Sequence, residues 1–445
     1  MTDTYNHVPN ASQLADWVTD ARQRTLDLIG DLSEEQLMGP QMDIVNPLLW
    51  EIGHVAWFQE KWVLRADSRK KSVFEYADKI WDSTAVQHNS RWNLPLPDRE
   101  ETLSYSQTVR DKILEVLADK KPTEDTNYFV MLSVFHEDMH TEAFTYTRQT
   151  LSYSAPNFTA QIAGPLNKPS ENMSEVNNDA DIPGGVFMLG SPPESTFVFD
   201  NEKWAHPVEL RPFAIARTVV TQKDYADFVD DGGYSERNWW SDDGWNWREG
   251  VKASHPVYWR KDDNRVWVRR HFDNWVPLEP HQPVINVNWH EANAYCRWAK
   301  RRLPTETEWE AAAAAEPNID RNEISLLKRY FPWGSSPPTP AHANLDWQAM
   351  GCVDATALGE GASAFGCRGM LGNVWEWTSC DFLPYPGFTT DPYKEYSEPW
   401  FSTRKVLRGG CWATRGRLLR NTWRNFYTPD RRDVWAGFRT CSLEK

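Results

Sequence analysis

The amino-acid sequence predicts an α+β protein of two domains, a four-helix bundle followed by a larger domain of short strands and long loops. The chain has 445 residues, more than one ordinary hydrophobic core accommodates. Apolar residues recur at helical spacing in roughly the first 150 residues, whereas short apolar runs between Gly, Pro and Asp turns follow from Gly184 onward. We therefore expect the bundle in residues 1–155, a linker in 156–182 and the second domain in 183–445.

Four stretches supply the helices of the predicted bundle. Residues 11–31 carry apolar side chains at helical spacing. Asn46-Pro47 is expected to open the second helix, with Asn46 as the N-cap and Pro47 in the first turn. The third and fourth helices are expected over residues 101–119 and 126–150. Four amphipathic helices in succession predict a four-helix bundle, and metal sites in bundle cores are built from facing helices.

The sequence changes character after the fourth helix. Residues 156–182 are polar and rich in Pro, Asn and Ser, which favours a linker. Short strand-like runs follow, interrupted by one expected helix over 290–300 and another over 306–315. Thr305 and Glu308 have the spacing of a capping box at the start of that second helix. This mixture predicts an irregular α+β domain.

The segment with the clearest chemistry is FHEDMHTEAFTYTR in the fourth helix. His136 and His140 are four residues apart, so their imidazoles project from one helical face, about 6 Å apart at Cβ. That spacing suits two ligands of one metal ion. His54, in the apolar stretch NPLLWEIGHVAWFQEKW, offers a third. Three imidazoles without a thiolate leave coordination positions open and suit a redox metal such as iron(II), although imidazole alone also suits zinc.

Two other classes of function remain open for the same residues. The motif has the form H-E-x-x-H, which permits a zinc hydrolase with Glu137 as the base. Against this, no G-x-x-H or downstream Glu-bearing helix of the usual protease kind follows, and His54 is a better third ligand. The chain could also be a binding module without catalysis, in which the three histidines are incidental core residues.

Composition excludes further classes of function. The chain is 40% hydrophobic and 25% charged, as in soluble globular proteins. A formal charge of −15 argues against a nucleic-acid partner. No long apolar run or signal peptide is evident, and the six cysteines, all from Cys296 onward, contain no C-x-x-C. We expect a reduced, cytoplasmic protein without a membrane partner. The 25 tryptophans favour an aromatic-lined cavity or simple packing.

Both halves of the chain resemble known families. The second half resembles the formylglycine-generating-enzyme fold, a C-type lectin variant, in these segments, in the family's order: GGVFMLGS, VVTQKDYADFV, PVINVNWHEANAYCRWAKRRLPTETEWEAAA, FPWG, GNVWEWT, VLRGGCW and AGFR. The first half resembles the DinB-like bundle in His54 and the run HEDMHTE. Formylglycine generation itself is not expected, because Thr414 and Leu419 occupy the places of that family's cysteine pair.

The fusion of these two domains resembles the ergothioneine-type sulfoxide synthases. The resemblance implies an O2-dependent enzyme that joins sulfur to imidazole C2 of hercynine, the trimethylated betaine of histidine. It also implies that iron(II), Fe(2+), is bound by His54, His136 and His140. Asn425 and Phe426 match the Asn–aromatic pair that contacts hercynine.

The resemblance places a catalytic tyrosine in the stretch LPYPGF. Tyr385 and Phe388 are the two positions that match it, and a tyrosine there could donate a proton. If Phe388 is the equivalent residue, this chain lacks that proton donor.

The residues expected to bind the donor substrate differ from those of the mycobacterial-type enzymes. There, two Arg before LPLL and an Asp and Arg near the C-terminus hold γ-glutamylcysteine. Here His88 replaces one Arg, Arg91 and Arg431 remain, and Tyr427 replaces the Asp. The loss of charged partners favours an uncharged, hydroxyl-rich donor. We therefore favour the selenoneine synthase branch, with a selenosugar donor, over the alternative of a synthase that uses cysteine or γ-glutamylcysteine.

Overall fold

A computed structural model describes residues 8–65, 70–119, 123–158, 178–320 and 322–443. The chain forms two compact units, one within His7–Ala160 and the other within Gln161–Lys445. The first is helical and the second mixes helices with strands, so the predicted α+β class with two domains is confirmed. Residues 159–177, most of the predicted linker, lie outside the described residues. Among the described segments, no helix is both long and apolar enough to cross a membrane.

The first unit is built around four long helices. The first and second long helices each pack on both the third and the fourth. The core of this unit therefore lies between the two pairs of helices. A capping box between Asn10 and Gln13 starts the first long helix, and Thr123 caps the fourth. With two short helices, the order is α1 (Ala11–Ile29), α2 (Glu34–Met38), α3 (Leu48–Gln59), α4 (Ala77–Ile80), α5 (Arg99–Asp119) and α6 (Glu124–Thr150).

The predicted start of α3 is wrong in one respect. Pro47 is the N-cap residue, and no side chain caps this helix. The Asn46 side chain donates from Nδ2 to Glu51 instead and accepts from Arg91. Tertiary partners therefore compete successfully with the local cap for this amide.

The second unit contains four helices and fifteen short strands among its described residues. The helices are α7 (Gln222–Asp230), α8 (Asp242–Val251), α9 (Trp289–Trp298) and α10 (Glu306–Ala314). The strands are β1 (Asp179–Ile182), β2 (Gly185–Leu189), β3 (His206–Leu210), β4 (Phe213–Ala216), β5 (Trp259–Lys261), β6 (Trp267–His271), β7 (Asn274–Pro277), β8 (Arg301–Arg302), β9 (Ala315–Pro317), β10 (Ile324–Lys328), β11 (Trp375–Asp381), β12 (Lys405–Arg408), β13 (Arg424–Tyr427), β14 (Ala436–Gly437) and β15 (Cys441–Ser442).

The strands form several small sheets. Two have four strands, in the orders β1-β4-β15-β8 and β13-β12-β11-β14, and the rest are β2-β3, β9-β10 and β5-β6-β7. All pairings are antiparallel except that of β11 with β14. The predicted capping box of Thr305 and Glu308 is present at the start of α10. Strand β1 lies inside the range predicted as a linker. It belongs to the second unit, because its alternate residues Ala180 and Ile182 are buried there.

Candidate metal centre and substrate-binding residues

Three histidine side chains converge in the bundle. His136 and His140 come from successive turns of α6, and His54 comes from α3, which packs against α6. One ring nitrogen from each residue lies within 4.8 Å of those of the other two. Within the described ranges, no other group of three His, Cys, Asp or Glu side chains meets this criterion for holding a metal ion.

The backbone of a neighbouring segment fixes the tautomer of His54. Its Nδ1 lies 2.7 Å from the carbonyl oxygen of Trp81. A carbonyl only accepts, so Nδ1 carries the proton and Nε2 keeps its lone pair for a metal. Gly53 permits this approach, because a Cβ there would lie 2.0 Å from the Trp81 indole. Trp50 holds the same segment by donating from Nε1 to the Ile80 carbonyl at 2.6 Å.

The two most buried imidazoles are in the form that binds metals. His54 and His136 are 3% and 4% exposed. Burial lowers the pKa of both well below its usual value, and the positive charge of a protonated His140 would lower it further. Both rings are therefore neutral near pH 7. The His140 side chain is 20% exposed, so the cluster is reached most easily from its side.

Glu137, the carboxylate of the H-E-x-x-H motif, does not belong to this cluster. It is completely buried and accepts hydrogen bonds from Arg22 Nε and Thr25 Oγ1, both at 2.8 Å. Gln59 Nε2 donates to its other oxygen at 2.8 Å. One residue along a helix is a rotation of about 100°, which turns Glu137 away from the face of His136. Glu137 therefore forms a buried ion pair with Arg22. This arrangement does not support Glu137 as the base of a zinc hydrolase.

A carboxylate that is not predicted from the sequence lies beside the cluster. Glu51 Oε1 is 3.6 Å from His140 Nδ1, and Glu51 is 3% exposed. Its other oxygen has no hydrogen-bond partner within the described part of the chain. The spacing of three residues between Glu51 and His54 on α3 is the signal that could have identified it. Three imidazoles beside a carboxylate with few hydrogen-bond partners fit a divalent metal with open coordination positions.

Two predicted donor-binding residues lie on one short helical turn of the bundle. Arg91 Nη1 donates to Asn46 Oδ1 at 2.7 Å, and its guanidinium lies 3.8 Å over the Trp50 ring. Burial lowers the pKa of Arg91 to about 10, which leaves it charged near neutral pH. His88 is half-buried, with Nε2 2.9 Å from the Met42 carbonyl oxygen. Arg91 is thus connected to the histidine cluster through Trp50, whereas His88 is held by the backbone.

The predicted hercynine-binding residues and two donor-binding residues lie together in the second unit. Asn425, Phe426 and Tyr427 are half-buried on β13, and Phe426 stacks on Phe382 at 4.1 Å between ring centroids. Asn425 Oδ1 accepts from the Phe426 amide at 2.8 Å. Arg431 lies 5.1 Å from the Tyr427 ring centroid, and its guanidinium forms a bidentate ion pair with Asp433 at 2.6 and 2.7 Å.

The two candidates for the catalytic tyrosine position occupy different environments. Tyr385 is only 6% exposed in the core of the second unit, and its hydroxyl donates to Glu306 at 3.4 Å. Burial raises its pKa well above the usual value, although the Arg424 guanidinium 4.1 Å from its ring opposes this. Phe388 is half-buried, with its ring edge against Phe401. These surroundings favour a packing role for both rings.

The positions of the missing cysteine pair lie at the turn after β12. Thr414 Oγ1 accepts from the Cys411 amide at 2.9 Å, and Leu419 packs near Gly410. All six cysteines are free, and five of them are buried. No two cysteines therefore stand in the places that formylglycine generation requires.

Comparison with protein families assigns each unit. Residues 165–442 match the sulfatase-modifying factor enzyme 1-like domain, and residues 18–143 match the DinB superfamily. A formylglycine-generating enzyme of Thermomonospora curvata is 30% identical over 59% of this chain and 92% of its own. A solved structure of PvdO from Pseudomonas aeruginosa covers 63% of this chain and 99% of its own, at 20% identity and a TM-score of 0.38.

Other relatives span both units. Proteins named hercynine oxygenase from Mycolicibacterium thermoresistibile and Mycolicibacterium smegmatis are each 36% identical to this chain. The alignments cover 97% and 96% of this chain and 95% and 97% of the relatives. These matches define a two-domain enzyme with a DinB-like bundle and a sulfatase-modifying-factor-like domain. The chain belongs to the hercynine oxygenase family, which confirms the ergothioneine-type family that the sequence predicts.

Proposed function

We propose that the chain is a hercynine oxygenase that joins a sulfur donor to C2 of the hercynine imidazole, with O2 as the oxidant. The observation that carries this proposal is 36% identity over 97% of the chain to a protein of that name. An alignment of this length includes both the histidine cluster and the β13 residues. Relatives named hercynine oxygenase support the alternative of an ergothioneine-type synthase more than the selenoneine synthase that the sequence favours.

The proposed reaction is a four-electron oxidation. The imidazole C2–H and the donor S–H bonds break and a C–S bond forms. One oxygen atom of O2 becomes the sulfoxide oxygen, and the other leaves as water with the two hydrogens. Iron(II) held by His54, His136 and His140 would supply the activation of O2.

Residues on β13 have the chemistry to bind hercynine. A quaternary ammonium is attracted to aromatic faces, and Phe426 with Phe382 offers such a surface. The internal hydrogen bond of Asn425 uses Oδ1, so Nδ2 remains as a donor for the hercynine carboxylate. We assign Asn425 and Phe426 to hercynine on this basis.

A selenosugar donor is a second candidate, favoured by the surroundings of His88 and Tyr427. The Arg431 guanidinium beside Tyr427 is already paired with Asp433, and His88 contacts a backbone carbonyl. Tyr427 has no carboxylate to pair with the ammonium of an amino-acid donor, and Nε2 of His88 already contacts the Met42 carbonyl. Arg91 is the remaining cation of the predicted donor set, and its contact with neutral Asn46 is compatible with either donor.

One experiment tests the function and separates the candidates. Anaerobically purified protein is loaded with iron(II), mixed with hercynine and O2, and offered cysteine, γ-glutamylcysteine or a selenosugar. Products are identified by mass, and O2 consumption is followed with and without each donor. A sulfoxide of hercynine supports the main proposal, and a selenium adduct supports the second candidate. Stoichiometric zinc with no O2 consumption under any condition would contradict both.

A further inference from the structure

We infer that Glu51 and Asn46 are positioning residues that orient His140 and connect it to Arg91. This inference rests on the proposed function, because it takes His140 as a metal ligand and Arg91 as a donor-binding residue. It assigns a role to two residues that belong to neither the histidine cluster nor the predicted substrate contacts.

The contacts form a continuous path from a surface turn to the cluster. Arg91 Nη1 donates to Asn46 Oδ1 at 2.7 Å, and Asn46 Nδ2 donates to Glu51 Oε1 at 2.7 Å. The same Glu51 oxygen faces His140 Nδ1 at 3.6 Å, a few tenths of an ångström beyond a hydrogen bond. A second path runs through packing, since Trp50 lies under Arg91 and stacks on His54 at 4.7 Å.

Glu51 has few hydrogen-bond partners for a buried carboxylate, which points to a role at the histidine cluster. Glu137, on the neighbouring helix, shows how this bundle compensates a buried carboxylate, with Arg22, Thr25 and Gln59 all donating to it. Glu51 is also buried, yet the structure gives it one neutral donor, Asn46. A buried carboxylate is costly without further partners. A metal-bound imidazole is a stronger N–H donor, so His140 Nδ1–H is the partner that completes Glu51.

The geometry also explains the role of Asn46. An amide has both an acceptor and a donor, so Asn46 can link the donor Arg91 to the acceptor Glu51. Neither a carboxylate nor an alkyl side chain at this position could do both. Loss of Asn46 as an N-cap is therefore offset by its use between the two charged groups.

The test measures metal affinity, which does not require hercynine or turnover. Full-length Glu51→Gln and Asn46→Ala proteins are titrated anaerobically with iron(II) against a competing chelator, and with cobalt(II) to record the ligand-field spectrum. Partners that orient metal-bound histidines typically contribute about 10–100-fold in affinity. We expect Glu51→Gln to weaken iron(II) binding within that range and to shift the cobalt(II) bands, with a smaller change of the same sign for Asn46→Ala.

Glu60→Gln is the matched control. Glu60 is 1% exposed at the end of the same helix, and it accepts from Tyr105 and the Val73 amide, away from the imidazoles. It should lose stability but keep iron(II) affinity and the cobalt(II) spectrum. Unchanged affinity and spectrum in Glu51→Gln, or in Asn46→Ala if the first variant does not fold, would overturn the inference. Unchanged affinity in His54→Ala as well would instead remove the metal site on which the proposed function depends.

Discussion

The closed ion pairs of the second unit contrast with the buried histidine cluster of the bundle. The second unit buries guanidinium groups against carboxylates in closed ion pairs, such as Arg439 with Glu376 at 2.6 and 2.7 Å and Arg424 with Glu306 at 2.9 and 3.0 Å. In the bundle, three imidazoles face one another, and charge on one of them lowers the pKa of the others.

This difference distinguishes polar groups that stabilise the fold from polar groups that can bind a ligand. A closed pair satisfies its own charge, so it fixes the elements that carry it and needs nothing from outside. The bundle can also build such a pair, as Arg22 and Glu137 show. Its histidine cluster is therefore not a general property of the bundle. The neutral imidazoles of His54 and His136 each keep a nitrogen lone pair, which a divalent cation between the three rings can accept.

The largest expected effect comes from removing one ligand of the cluster. His54→Ala, His136→Ala or His140→Ala should each abolish oxygenase activity and sharply reduce iron occupancy, because two imidazoles hold a divalent ion poorly. Iron content by metal analysis and product by mass measure both. His281→Ala, at an exposed position of the second unit, is the control. Full iron occupancy in all three variants would show that the cluster is core packing.

The second effect concerns the closed pairs. Arg439→Met should destabilise the second unit by about 3–5 kcal/mol, because it leaves Glu376 buried and unpaired. Iron occupancy of the bundle should remain unchanged. Urea unfolding followed by tryptophan fluorescence, with metal analysis of the folded protein, measures the two outcomes.

An exposed pair provides the contrast. Lys223 and Asp227, both more than half exposed on α7, form an ion pair at 2.6 Å. Lys223→Met should leave the unfolding curve where it is, since solvent screens such pairs. Equal stability losses for Arg439→Met and Lys223→Met would show that burial does not distinguish them.

The sequence predicts the cluster but not its surroundings. The spacing of His136 and His140 and the apolar setting of His54 are local features, and helical geometry converts them directly into a shared face. Trp81 and Asn46 contribute through contacts between different segments, which periodicity does not encode. Glu51 is indicated only by its position three residues before His54 on α3. Asn46 has the ordinary signature of an N-cap, and only its tertiary partners reveal another use.

The second unit shows the same limit more strongly. Its fold is identified by resemblance, because its strands are short and separated by loops that carry no strong periodic signal. Strand β1 contains two aspartates within a polar stretch, so composition alone places it in a linker. Tyr385 is one of two positions that match the family's catalytic tyrosine, but its burial beside Glu306 depends on residues distant in sequence.

The response of stability to pH should differ between the units in the metal-free protein. The pKa values of His54 and His136 are lowered on folding, so below about pH 6.5 the unfolded chain binds protons that the bundle does not. As pH decreases below about 6.5, the free energy of unfolding of the bundle should decrease by up to about 2.7 kcal/mol per pH unit for two histidines. Burial raises the pKa of Asp200 to about 6, so its contribution is present at low pH and lost as pH rises through 6.

Two variants isolate these opposite slopes. His54→Asn with His136→Asn should flatten the acid loss of bundle stability, and Asp200→Asn should flatten the response of the second unit. Urea midpoints between pH 7.5 and 5 measure each. An acid loss of equal slope in the wild type and the double histidine variant would contradict the neutral state of the buried imidazoles.

The last expected effect is a change of donor preference. The family resemblance implies that His88 and Tyr427 replace an Arg and an Asp of the mycobacterial-type enzymes. The Arg431 guanidinium next to Tyr427 is paired with Asp433. Tyr427→Asp with His88→Arg would add two charges that an amino-acid donor can pair with. Each charge-assisted hydrogen bond contributes about 1.5–3 kcal/mol, so two of them should raise the preference for γ-glutamylcysteine over a selenosugar by about two orders of magnitude or more. Misfit of the larger Arg side chain offsets part of this gain.

The measurement is the ratio of kcat/KM for the two donors in the wild type and the double variant. Tyr427→Phe with His88→Gln is the matched control, because it alters both positions without adding charge and should leave the ratio near that of the wild type. An equal shift in this control would assign the effect to shape instead of charge. A wild-type enzyme that already prefers γ-glutamylcysteine or cysteine would remove the selenium candidate, and the chain would then be a hercynine oxygenase that uses a thiol donor despite these two replacements.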